Sequence, residues 1–211
     1  MNSYRGFKAE TDGFVFCSLE ASTDGARGYV TCAVDNTIIA AASVHNYHHH
    51  DCWLQYSGFC APFAKGSTVD VRLTSTSGFP QFKVWRIPST SQDWKFMKPE
   101  KLTVRARPGG DWITAEKDGF LNGVVTVSDD GPRGILRLDC VKDQNGYFGN
   151  PYVSGRPLVS AAVHVWHPKD RWISHTSGML PVRKGYLFTA NFTPTSGAPR
   201  AEAYWTAVIP T

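Results

Sequence analysis

VHNYHHHDCWLQYSGFCAPFAKG at residues 44–66 returns, without a gap, as VHVWHPKDRWISHTSGMLPVRKG at residues 163–185. His45, His48, Asp51, Trp53, Pro62, Lys65 and Gly66 recur 119 positions later as His164, His167, Asp170, Trp172, Pro181, Lys184 and Gly185. The match continues through Thr76-Ser77-Gly78 and Pro80, which return as Thr195-Ser196-Gly197 and Pro199. Upstream the offset is 106: Asp12-Gly13-Phe14 returns as Asp118-Gly119-Phe120, and Gly25 and Arg27-Gly28 return as Gly131 and Arg133-Gly134. The offsets differ by 13, so the second copy carries extra residues between its two parts. Self-similarity on this scale decides architecture. The sequence predicts two versions of one domain, at residues 1–88 and 111–211, joined by residues 89–110, with an inserted loop at residues 142–157.

The local pattern gives the fold class. GFVFCSL at residues 13–19, YVTCAV at residues 29–34, VDVRLTS at residues 69–75 and FKVWRI at residues 82–87 alternate and are rich in strand formers. TIIAAASVH at residues 37–45 reads as a strand because it lacks a 3.6-residue period. Turn residues recur every 6–12 positions, and no convincing amphipathic helix intervenes. The expected fold is all-β: two tandem antiparallel β-sandwich (jelly-roll) domains related by internal duplication. The linker, residues 89–110, contains an alternating piece and three large aromatic rings lie in or just after it (Trp94, Phe96, Trp112), so it is expected to pack across one or both sandwiches.

Composition narrows the function. The chain of 211 residues is 42% hydrophobic and 13% aromatic, which is globular. The net charge of +4 is concentrated in the linker, and no dense basic face or reading motif points to nucleic acid. No window approaches the apolar length of a membrane helix, and the first residues lack a secretory pattern. Synthesis and assembly in a host cytoplasm are therefore expected. Five Cys, none at matching positions of the two copies, argue for free thiols over a shared disulfide framework.

A family resemblance rests on Pro181-Val182-Arg183-Lys184-Gly185, Thr195-Ser196-Gly197, Tyr204-Trp205 and Ile209-Pro210. Together with Asp118-Gly119-Phe120, this pattern resembles the sandwich domains at the tips of bacteriophage tail fibres and related receptor-binding proteins. The first copy departs from it, with Pro62-Phe63-Ala64-Lys65-Gly66 and Trp85, and in the second copy three residues separate Trp205 from Ile209. The resemblance implies a tumour-necrosis-factor-like jelly roll, a homotrimer, a place in the virion tail among other tail proteins, and recognition of a host surface. It implies no catalytic residue.

Three constellations compete for chemistry. His45, His48, His49, His50 and Asp51 have metal-ligand types at short spacing. Only His45, His48 and Asp51 are common to both copies, and folding explains those better: His45 inward, His48 and Asp51 shaping a loop. No metal or other cofactor is therefore expected, although metal held by an oligomer stays an alternative. Neither a nucleophile elbow nor a phosphate loop occurs, and no acid–base pair stands out among the carboxylates. No enzyme activity is expected. The insertion is the richest stretch: Asn145, Tyr147, Phe148, Asn150, Tyr152 and Arg156 combine rings that stack on sugars with groups that bond hydroxyls. The alternatives are that these rings pack at a subunit contact or lie on the sandwich as a lid. The sequence thus points to a non-enzymatic receptor-binding protein that attaches to bacterial surface polysaccharide through these six residues. A stand-alone lectin module and a structural spacer or decoration protein are the alternatives.

Overall fold

The computed structural model describes residues 2–23, 25–46, 54–91, 93–104, 112–127, 132–142, 159–164 and 173–211. The described chain is all-β. The first half contributes β1 (Asn2–Lys8), β2 (Gly13–Glu20), β3 (Arg27–Val34), β4 (Thr37–His45), β5 (Tyr56–Phe63), β6 (Thr68–Ser77) and β7 (Gln81–Pro88). These form two antiparallel sheets, β1-β6-β3-β4 and β5-β2-β7. Their inner faces follow directly from the alternation: Val15, Cys17 and Leu19 on β2 meet Val30, Cys32 and Val34 on β3 and Val69, Val71 and Leu73 on β6. Each such side chain contributes about 1.5–3 kcal/mol by leaving water.

Residues 89–110 are more than a tether. They carry β8 (Trp94–Phe96) and β9 (Glu100–Leu102), and both pair with the last strand of the chain. The second half then adds β10 (Ile113–Thr114), β11 (Asp118–Thr126), β12 (Arg133–Val141), β13 (Val159–His164), β14 (His175–Val182), β15 (Leu187–Ser196) and β16 (Arg200–Pro210). Its sheets are β10-β15-β12-β13 and β14-β11-β16-β8, with β9 also on β16. Leu121, Val125, Leu136, Leu138 and Phe188 fill the core between them.

The strand order in both halves is that of a jelly roll. The first half lacks a strand beyond β7, among the described residues; in the second half β8 and β9 occupy that place beside β16.

The two halves agree in register as well as order. Gly28 pairs with Val44 and Gly134 with Val163; Tyr29 pairs with Thr74 and Ile135 with Thr193. The same bulge interrupts both ladders, between Arg27 and Gly28 and between Arg133 and Gly134. The offset of 106 holds through β12 and that of 119 from β13 onward. The extra residues therefore lie between β12 and β13. In the first half that connection is Asp35-Asn36, with φ of 49° and 66°, the two left-handed residues of a tight hairpin turn.

One sequence match shifts by a residue. Trp85 lies opposite Phe16, and the residue opposite the equivalent Asn122 is Tyr204, not Trp205. Trp205 faces inward and stacks on Phe188 with ring centroids 4.8 Å apart. Ile209 and Pro210 extend past the end of the shared register to pair with Lys95 and Trp94. Ile87-Pro88 and Ile209-Pro210, the same dipeptide near the end of each half, are therefore not equivalent: by register Ile87-Pro88 aligns with Thr206-Ala207.

Candidate functional site

The recurring Asp-Gly-Phe and Lys-Gly motifs are one structural device. Gly66 and Gly185 take φ of 83° and 84°, which closes the turns after β5 and β14. The turn amides are then tied down. Lys65 N donates to Asp12 Oδ1 (2.5 Å) and Lys184 N to Asp118 Oδ1 (2.7 Å). Gly66 N donates to Ala9 O, as Gly185 N does to Ala115 O. These residues recur because each half needs the same turn.

The six predicted ligand residues, Asn145, Tyr147, Phe148, Asn150, Tyr152 and Arg156, lie outside the described residues, as do His48, His49, His50, Asp51, Cys52, Trp53, His167, Asp170 and Trp172. What the structure places is their point of attachment: the end of the β12–β13 pair, where the first half has its two-residue turn. His45 is buried and its backbone bridges Leu54, as His164 bridges Ile173. Burial, and then the Arg133 guanidinium, hold the His164 imidazole below its ordinary range, against a charged role. Among the described residues no three His, Cys, Asp or Glu side chains gather where a metal ion could sit.

The four described thiols are poor nucleophiles. Cys17, Cys32, Cys60 and Cys140 are free, and burial pushes Cys17 up to about 12 and raises the other three. A thiol held that high carries almost no thiolate at neutral pH.

Among the clefts lined by described residues, two have several hundred Å³ and charged side chains beside aromatic rings. One, of ≈ 860 Å³, runs between β1 and the unpaired side of β7, where Arg5, Lys83 and Arg86 stand among Phe7, Phe82 and Trp85. The Arg86 guanidinium lies 4.9 Å from the Phe7 ring centroid. Cations interleaved with rings suit an anionic or sugar-like ligand and supply no acid–base pair. The other, of ≈ 740 Å³, lies where residues of the linker meet Asp12 and Lys65. It contains two carboxylates, Glu10 and Asp12, yet both Asp12 oxygens already accept backbone amides, from Lys65 and from Phe96.

The joint between the halves was not legible as a site. β4 lies across β11 and β14. Ser43 Oγ accepts from His175 N at 2.7 Å and donates to the His175 carbonyl; Ala41 N donates to Ser177 Oγ at 3.0 Å, and Ser177 Oγ donates to Ala41 O at 2.9 Å. Tyr29 stacks on the His175 ring, centroids 3.6 Å apart and nearly parallel. Phe14, Phe96 and Phe120 form an edge-to-face cluster that ties the linker to both halves. The signal in the sequence is where the two copies disagree: Phe16, Trp85 and Ile87 in one, Asn122, Tyr204 and Thr206 in the other.

No protein-family model matches the chain, and no curated protein matches it. Among solved structures the chain is similar to A223, a turret protein in Sulfolobus turreted icosahedral virus. The identity is 10% over 99% of this chain and 98% of that one, with a TM-score of 0.23. A likeness of that size carries no argument about fold or function.

Proposed function

We propose that the protein is a non-enzymatic receptor-binding component of a phage tail fibre or tail tip, and that it adsorbs to bacterial surface glycan through the connection between β12 and β13. The observation that carries this reading is the contrast at one position of a shared register. The same strand pair is closed by Asp35-Asn36 in the first half and by residues 142–158 in the second. A long surface connection costs little in chain entropy and is where binding chemistry is usually placed on a rigid scaffold. This one holds Tyr147, Phe148 and Tyr152 with Asn145, Asn150 and Arg156, a set suited to stacking on sugar rings and bonding their hydroxyls. Presented three times on a homotrimer, weak single sites reinforce one another, so on the order of millimolar affinity per site suffices.

A glycan array tests the reading. The wild-type chain is expected to bind a restricted set of bacterial surface oligosaccharides. The Tyr147→Ala/Tyr152→Ala variant is expected to lose that binding at least tenfold with its circular dichroism unchanged. Binding retained by the folded variant, or no binding by the wild type, would overturn it.

A further inference from the structure

We infer that the outer face of the β5-β2-β7 sheet docks a second copy of this chain, which presents the outer face of its β12–β13 pair, head to tail. The inference rests on the joint described above and is independent of what the β12–β13 connection binds.

Within the chain, the first half offers Tyr29, Ala41 and Ser43 from the outer face of β3 and β4, and the second half receives them on the outer face of β14-β11-β16. Two different patches meet, so the contact is heterologous. By register each patch exists on both halves. The counterparts of Tyr29, Ala41 and Ser43 are Ile135, Ser160 and Ala162; those of His175 and Ser177 are Tyr56 and Gly58. One patch of each kind is used inside the chain, and one of each is left over.

Exposure shows which are left over. On the receiving face, Asn122, Tyr204 and Thr206 are 1%, 3% and 0% exposed in the second half. Tyr204 packs into the first half's hydrophobic cluster. Their counterparts Phe16, Trp85 and Ile87 are 43%, 46% and 52% exposed. On the offering face, Ala41 and Ser43 are buried, whereas Ser160 and Ala162 are exposed.

The uncovered receiving face is also the more apolar of the two. Phe16 and Trp85 lie directly across from each other, ring centroids 6.1 Å apart, with Ile87 next along the strand; Tyr56, also exposed, stands apart from them opposite Glu20. A contiguous apolar sheet face marks an interaction surface. A second copy is the occupant because the same two kinds of sheet face already meet once within this chain and one of each stays uncovered; with Ala162 and Gly58 in place of Ser43 and Ser177, the second contact rests on apolar packing of Ile135 and Ala162 against Phe16 and Trp85 instead of on hydroxyl bonds. Repeated, such a contact closes into a ring or runs on as a filament, according to the rotation it imposes.

Multi-angle light scattering on the full chain tests this. The wild type is expected at twice 23.3 kDa or more. Trp85→Asp, which spoils the receiving face, and Ala162→Arg, which spoils the offering face, are each expected to be monomeric with unchanged circular dichroism and melting temperature. Mixed in equal amounts, the two variants retain one good face each and are expected to form a dimer and nothing larger. If either variant fails to fold, Ile87→Lys or Ser160→Arg replaces it. A monomeric wild type, an assembly indifferent to either substitution, or a mixture of folded variants that stays monomeric would each overturn the inference.

Discussion

Asp12 and Asp118 hold the same turn in the two halves, but only Asp12 also reaches the linker. Its Oδ2 accepts the Phe96 amide at 2.8 Å, which fixes the start of the chain's path into the second half. A hydrogen bond to a charged acceptor is worth about 1.5–3 kcal/mol. Asp118→Ala is therefore expected to lower unfolding stability by about 1.5 kcal/mol and Asp12→Ala by roughly twice that, as read by urea denaturation. Equal costs would show that the Phe96 bond contributes nothing. At this scale the sequence was informative wherever a residue recurred for a backbone reason: Gly66 and Gly185, or Gly78 and Gly197 at φ of 60° and 63°. It was silent on His175, because nothing about an isolated imidazole in a strand shows that a Tyr from a distant part of the chain will stack on it.

At the scale of elements, the turn of the β3–β4 hairpin is held by side-chain contacts. Asp35 Oδ1 accepts the Thr68 amide at 2.9 Å, and Oδ2 meets the Ser67 hydroxyl at 3.1 Å and the Lys98 ammonium at 3.0 Å. Burial alone would push the Asp35 carboxyl up, but the Thr68 amide, Lys98 and Ser67 outweigh it and hold the group below the usual carboxylate range. A carboxyl lowered by folding stabilises the native state above its unfolded pKa of about 3.9, and that stabilisation disappears as the pH falls through the folded value. Asp35→Asn, which keeps the turn shape and removes the charge, is expected to cost roughly 1 kcal/mol at pH 7. The gap to wild type should close in acid, as the pH falls past the unfolded value of about 3.9 and through the lower folded one. A gap that persists unchanged in acid would contradict the assignment.

Longer strands such as β2, β3 and β6 were readable because their alternation runs for seven or more residues against one buried face. β8 and β9 were not. Each is three residues long, too short for a period to register, and each exists only because β16 offers it an edge. Trp85 and Trp205, and Ile87-Pro88 and Ile209-Pro210, look alike without being equivalent for a related reason. Motif similarity ignores pleat, and a slip of one residue moves a side chain to the opposite face of the sheet.

For the molecule as a whole, the internal repeat set out two sandwiches but not how they meet. Packing of one half on the other depends on outer-face residues, and in the sequence an outer face bound for burial looks like any other alternation. Phe14 and Phe16 could be read as core or surface until the partner face was in place. The proposed recognition residues stand out in the sequence as an insertion because the two offsets differ, and by their rings and amides. Their attachment at the β12–β13 end is what the shared register adds. In the proposed function, the second half binds glycan through the hairpin end at which it is longer than the first. Replacing residues 141–155 by Asp-Asn, so that Cys140 and Arg156 flank the turn as Val34 and Thr37 do, tests it most directly on a glycan array. The account predicts a folded, equally stable chain that no longer binds glycan; a folded chain that binds as well as the wild type would contradict it.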